Sequence, residues 1–200
     1  MHQPSQKKAA VFLDRDGTII EEVNYLRDPA QIQLIPTAIP ALTLLQQHFP
    51  LVIITNQSGI ARGYLSENQL HQIHDHLELL LGAADVHLTK IYYCPHHPKA
   101  GHLPYRQACA CRKPQPGMLL AAADELDLDL ARSFTIGDQL SDIAAGSNAG
   151  THTILVRTGY GSKHQQRVAV EMSPDYVADD LWTAATWILG SPEYWPQIPI

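Results

Sequence analysis

Five short apolar runs punctuate the chain: Ala9 to Leu13 (AAVFL), Leu51 to Thr55 (LVIIT), Ile91 to Tyr93, Phe134 to Ile136 and Thr153 to Val156. Runs of this length, bounded by charges or turn residues, read as strands buried on both faces, the pattern of a parallel sheet. Amphipathic stretches with helix punctuation lie between them. Pro36 can open a helix that runs to His48. Ser66 with Gln69 three residues on makes a capping box for one reaching about Leu81, with Gly82 as its stop. Further helices are expected from Gly117 to Leu126, from Ser141 to Asn148 and from Asp180 to Leu189, the last with Trp182 and Ile188 turned to the core. Strands alternating with helices predict an α/β fold with a doubly wound, mainly parallel sheet, in which ligands bind at the carboxyl ends of the strands. One domain over residues 1–190 is expected, followed by a loosely ordered tail, 191–200, that holds three prolines.

Composition narrows the class. With 45% hydrophobic and 17% charged residues in 200, the chain is globular rather than disordered. No apolar run approaches the ~20 residues of a membrane span, and Met1 to Ala10 lacks the long apolar core of a secretory signal, so a cytoplasmic address and no membrane partner are expected. A net charge of -6 argues against coating nucleic acid. No heptad pattern or large apolar stripe stands out, and a monomer is expected. Most of the eleven histidines, His71, His74 and His76 among them, fall on polar helical sequence and read as solvated.

Chemistry gathers at the strand ends. The first strand runs into Asp14-Arg15-Asp16-Gly17-Thr18, two carboxylates where an apolar strand meets a polar loop. Like charges so placed need a shared proton or a cation, and hard oxygen ligands suit Mg²⁺. Thr55-Asn56 closes the second strand, and Gln57-Ser58-Gly59 follows with little bulk, so that backbone N–H groups can reach an oxyanion. Arg112-Lys113-Pro114 puts two cations ahead of a helix, and Gly137-Asp138 ends the fourth strand with another acid. Asp142, four residues on, is either a supporting carboxylate or a salt-bridge partner. These groups would converge on one pocket.

Three cysteines in one short window form no disulfide framework. Cys94-x-His96 and, after a gap of twelve, Cys109-x-Cys111 supply three sulfurs and an imidazole, a closed tetrahedral zinc set. Such a site is structural, and a loop (94–111) rich in proline and glycine has reason to be clipped by a metal. His97 is the competing imidazole, and buried thiols without metal are the alternative.

Asp14-x-Asp16-Gly17-Thr18, Thr55-Asn56, Lys113-Pro114 and Gly137-Asp138-x-x-x-Asp142 resemble, in order, the four motifs of the haloacid dehalogenase superfamily. The stretches Asn56 to Gly63 (NQSGIARG), Tyr92 to Pro98 (YYCPHHP) and Cys109 to Pro114 (CACRKP) are similar to its heptose bisphosphate and histidinol phosphate phosphatase branch. The resemblance implies an Asp14 nucleophile that forms an aspartyl phosphate, Asp16 as acid and base, and phosphate held by Thr55, Asn56 and Lys113. It also implies Mg²⁺ on Asp14, the Asp16 carbonyl and Asp138, and structural Zn²⁺ on Cys94, His96, Cys109 and Cys111, with His96 preferred to His97. The implied reaction removes the 7-phosphate of a heptose 1,7-bisphosphate in lipopolysaccharide core precursor synthesis. A phosphatase for histidinol phosphate or another small sugar phosphate is the rival, with a non-catalytic zinc module behind it. Substrate contacts are expected from Glu22, Val23, Asn24, Tyr25, Gln57, Ser58, Arg112 and Gln139. Gln139 departs from the branch, where many members carry lysine.

Overall fold

The computed structural model describes residues 7–166 and 173–190. Six strands form its sheet: β1 (Val11–Leu13), β2 (Leu51–Asn56), β3 (Lys90–Cys94), β4 (Phe134–Gly137), β5 (His152–Val156) and β6 (Tyr176–Ala178). The order is β3-β2-β1-β4-β5-β6 and every pairing is parallel. The helices are α1 (Ala38–Leu45), α2 (Glu67–Gly82), α3 (Gly117–Glu125), α4 (Leu140–Ala149), α5 (Gly161–Gln165) and α6 (Leu181–Gly190).

The two-residue side-chain period of a strand sorts the apolar runs into two cores. Val11, Leu13, Leu51 and Ile53 pack on one face with Leu42 of α1, Leu70 and Leu77 of α2, and Ile188 of α6. Phe12, Val52 and Ile54 pack on the other with Met118 and Leu119 of α3 and Ala145 of α4. The chain winds outward from β1 to β3, then crosses back so that β4 lies against the other side of β1, with Leu13 opposite Ile136. That reversal opens a crevice beyond the carboxyl ends of β1 and β4, where such folds bind ligands.

The expected strands and helices are present, with shifted ends. α1 starts at Ala38, two residues after Pro36. The Ser66 capping box forms, Gln69 N–H donating to Ser66 Oγ at 3.2 Å and Ser66 N–H to Gln69 Oε1 at 2.8 Å. Gly82 does not stop the helix by left-handed backbone, since Ala83 after it is still right-handed; the reversal comes at Asp85, with φ 59°. Trp182 is 42% exposed, so α6 turns Ile188 but not Trp182 to the core. Trp187 instead stacks on Tyr176 with ring centroids 4.7 Å apart. β6 escaped the pattern because, unlike β1, it is not part of an unbroken buried apolar run, only Ala178 of its three residues being buried, and α5 because five residues are too few to show a period. His74 is buried, contrary to the solvated reading. The tail 191–200 lies outside the described residues.

Candidate active site

Asp14 leaves β1 with its N–H donated to Ile136 O at 2.9 Å, so pairing with β4 fixes where its side chain emerges. Across the crevice stands Lys113, 3% exposed. Its Nζ lies 2.9 Å from Asp14 Oδ1, 2.7 Å from Asp142 Oδ1, and donates to Ile54 O at 2.8 Å. Asn56, the last residue of β2, holds the Lys113 backbone from both sides: Nδ2 donates to Lys113 O and Oδ1 accepts from Lys113 N–H, each at 3.1 Å. Asp142 is thus an ion-pair partner, and its second oxygen accepts the Gln139 N–H at 3.0 Å.

Asp138 is fully buried at the end of β4. Its Oδ2 accepts the Tyr160 N–H at 2.7 Å, while Oδ1 has no hydrogen-bond partner. Gly17 and Gly159 make room for it, because a Cβ on either would lie within 2.3 Å of Asp138 Oδ2, and both adopt positive φ (79° and 53°). Oxygens of Asp14, Asp138 and Asp142 lie within 4.8 Å of one another.

Crowded, buried carboxyls resist ionisation. Burial, only partly opposed by Lys113, pushes Asp14 up to about 7, and burial with the nearby Asp14 and Asp142 pushes Asp138 up to about 8. Burial works to lower Lys113, but the charges of Asp14 and Asp142 outweigh it and hold the ammonium firmly protonated. A divalent cation between Asp14 and Asp138 would remove the penalty and give the orphaned Oδ1 a partner. The residues present therefore fit Mg²⁺.

Asp16 takes no part in that carboxylate cluster. Its carboxylate faces Arg15, whose Nε and Nη2 lie 2.9 to 3.3 Å from both oxygens, and Gln57 Nε2 donates to its Oδ2 at 2.9 Å. Asp14, Asp16, Thr55, Lys113 and Arg112 line one cavity of about 360 Å³. Glu22, Asn24, Tyr25, Asn56, Gln57, Ser58 and Gln139 line it too. Val23 does not; it is 37% exposed. Tyr25 is held at the rim by an edge contact with Tyr64 at 4.8 Å, with Asn24 and Tyr25 both in left-handed backbone (φ 47° and 68°). Sequence reasoning missed Tyr160, whose backbone N–H supports Asp138, and the burial of Arg15. The glycines at 159 and 161 were the available signal for the first.

Cys94, His96, Cys109 and Cys111 come together beyond the end of β3. The sulfurs are 3.0, 3.2 and 3.5 Å apart, and His96 Nδ1 lies 3.5 Å from Cys111 and 3.7 Å from Cys94. Zinc at ~2.3 Å from each sulfur sets tetrahedral sulfurs ~3.8 Å apart, so the cluster can bind zinc after a small expansion. The hydrogen bond between Cys94 and Cys111 splits the pair, pushing Cys94 up and Cys111 down to about 5. His97 is engaged elsewhere: its Nδ1 accepts from the Lys99 and Ala100 N–H groups at 3.1 and 2.8 Å. The clip reaches the cavity through Arg112, whose Nη1 donates to His96 O at 3.1 Å.

The family model described as HAD-hydrolase-like matches residues 110–184. The D-glycero-beta-D-manno-heptose-1,7-bisphosphate 7-phosphatase of Escherichia coli (strain K12) is 41% identical over 191 residues, 94% of this chain and 92% of that one. The enzyme of the same name from Pasteurella multocida is 47% identical over 154 residues, 76% of this chain and 83% of its own. Among solved structures, the D,D-heptose 1,7-bisphosphate phosphatase of B. bronchiseptica, complexed with magnesium and phosphate, superposes with a TM-score of 0.80 at 34% identity, covering 91% of this chain and 98% of that one. The fold and site define a HAD-like phosphatase, a hydrolase of phosphate esters. Within that class the chain belongs to the heptose bisphosphate phosphatase family.

Proposed function

We propose that this chain removes the 7-phosphate of D-glycero-β-D-manno-heptose 1,7-bisphosphate, a step in making the heptose precursor of lipopolysaccharide core, through an aspartyl phosphate on Asp14. The observation that carries the reading is the meeting of Asp14 with Lys113 beside the unpartnered oxygen of Asp138, in a cavity large enough for a sugar phosphate. The identity to enzymes of that name over nearly the whole chain supports the substrate.

Asp14 attacks phosphorus in line, and the bond from phosphorus to the C7 oxygen breaks. The departing oxygen keeps the electron pair and takes a proton from Asp16. Water then attacks the aspartyl phosphate and passes its proton to Asp16, freeing phosphate and restoring Asp14. Mg²⁺ held by the Asp14 and Asp138 carboxylates and the Asp16 carbonyl would screen the repulsion between Asp14 and the phosphate dianion. Thr55, the Asn56 backbone and Lys113 bind the equatorial oxygens, where charge builds in the transition state. Arg112 reads the second phosphate or sugar hydroxyls, Glu22 the hydroxyls, and Gln139 offers an amide where many members of the branch carry a lysine. Zinc on the four-ligand clip has no open position and serves to hold the 94–111 loop. In this reading residues 1–190 act as a single catalytic domain, and the protein works as a cytoplasmic monomer.

Initial rates on the two heptose bisphosphate anomers, histidinol phosphate and a set of hexose phosphates test the reading. The β-anomer is expected to give the highest kcat/KM; histidinol phosphate in first place would transfer the chain to the other arm of the branch.

A further inference from the structure

Gln57 reads from sequence as a substrate contact, yet the geometry commits both hydrogens of its amide to the protein, leaving only Oε1 for a substrate in the cavity it lines. An amide NH₂ has two hydrogens. Gln57 Nε2 uses them on Thr55 Oγ1 at 2.8 Å and Asp16 Oδ2 at 2.9 Å. The side chain is buried, 7% exposed, and its backbone N–H is tied to Cys94 O at 2.8 Å, so the amide is fixed at its root. Arg15 approaches Asp16 differently. Its Nε lies 3.3 and 3.2 Å, and its Nη2 3.0 and 2.9 Å, from the two carboxylate oxygens. Such near-equal distances place the carboxylate across the guanidinium edge rather than in the parallel fork that locks both oxygens. Arg15 therefore supplies charge without distinguishing Oδ1 from Oδ2. Gln57 does distinguish them, because it occupies Oδ2 alone.

We propose that Gln57 is a positioning residue for proton transfer: by holding Asp16 Oδ2, it presents Oδ1 as the oxygen that gives the proton to the leaving group and later takes one from water. Gln57 acts through Asp16 and touches no reacting atom. The proposal rests on the Asp14 phosphatase reading but not on the identity of the sugar. In the first step the proton leaves Asp16 as the bond from phosphorus to the ester oxygen breaks. In the second, Asp16 regains a proton from the water that attacks phosphorus.

A graded series of aryl phosphates, from p-nitrophenyl to phenyl, with one alkyl phosphate, separates this role from the alternatives. Positioned proton transfer is worth ~10² to 10⁴ in rate, and a good leaving group needs little of it. With Gln57→Met, release of the leaving group in single turnover, read as nitrophenol for p-nitrophenyl phosphate and as alcohol for the alkyl ester, should fall less than about threefold for the first and ~100-fold or more for the second, with KM within twofold. Dephosphorylation should slow as well, giving a burst of nitrophenol absent from the wild type. Gln57→Glu keeps the shape but turns the donor into an acceptor, and it should show the same steepened dependence, so a poorly folded methionine variant does not end the test. Equal slowing of every substrate, or a raised KM with unchanged kcat, overturns the proposal and returns Gln57 to phosphate seating or substrate binding. Lack of wild-type activity on heptose bisphosphate, with the aryl series hydrolysed, overturns the substrate reading alone. Lack of activity on both overturns the phosphatase reading and this proposal with it.

Discussion

Asp14 and Asp138, lifted to about 7 and about 8 from an ordinary 3.8, bind protons in the folded protein that the unfolded chain sheds. Their contribution to stability is therefore complete below about pH 4 and lost as pH rises through 7 to 8. Mg²⁺ binds the ionised pair, so its stabilising effect should grow over the same window. Melting scans of zinc-loaded protein at pH 5 and pH 8, with and without Mg²⁺, check this: the Mg²⁺ shift is expected to be larger at pH 8, and equal shifts would place the cation elsewhere. Asp14→Asn should abolish turnover while the fold survives, because an amide is no nucleophile toward phosphorus. Normal phosphate release from that variant would exclude the covalent route. The strand-end acids were legible in sequence because each follows directly on an apolar run. Arg15 was not: an arginine between two aspartates reads as solvated, and only the third dimension shows it 1% exposed.

At the level of elements, α2 carries a buried histidine that its polar sequence concealed. His74 is pushed down to about 3, first by burial and then by the charges of Arg15 and His71, and its Nε2 has no hydrogen-bond partner. A base with a depressed native pKa contributes stability that is complete above about pH 6.5 and lost as pH falls toward 3. His74→Leu is expected to match or exceed the wild type at pH 7 and to lose less on acidification, read as urea midpoints at pH 7 and pH 5. An identical loss in both proteins would contradict the burial account. The 94–111 loop is the second element whose behaviour follows from its ties. Cys109 and Cys111 lead directly into Arg112 and Lys113, and a displacement of about 1 Å in such groups can cost ~100-fold in rate. Zinc removal or Cys109→Ser should therefore lower activity and melting temperature while Mg²⁺ affinity changes little, since Asp14 and Asp138 hang from β1 and β4. Full activity after verified zinc removal would uncouple clip from site.

Across the whole molecule, the parallel α/β order and the crevice were readable because buried strands leave apolar runs that survive without their neighbours. The zinc set was readable from ligand chemistry and spacing except for the choice of His96 over His97, which came from the family resemblance. What stayed hidden depends on contacts between distant segments: the Tyr160 N–H reaching Asp138 is a backbone donor that only its flanking glycines hint at, and Gly17 and Gly159 meet only in the folded chain. Trp182 fell on the wrong side because neighbours, not residue character, decide which face is covered, and Val23 does not line the cavity. Glu22, Tyr25 and Gln139 were named from motif resemblance, but that they border one cavity is visible only in the fold. The decisive measurement is therefore on the proposed substrate: ³¹P nuclear magnetic resonance of D-glycero-β-D-manno-heptose 1,7-bisphosphate turned over with Mg²⁺. The C7 phosphate signal is expected to be replaced by free phosphate while the anomeric phosphate persists. Loss of the anomeric phosphate first, or no turnover under conditions that hydrolyse other phosphate esters, would contradict the proposed reaction.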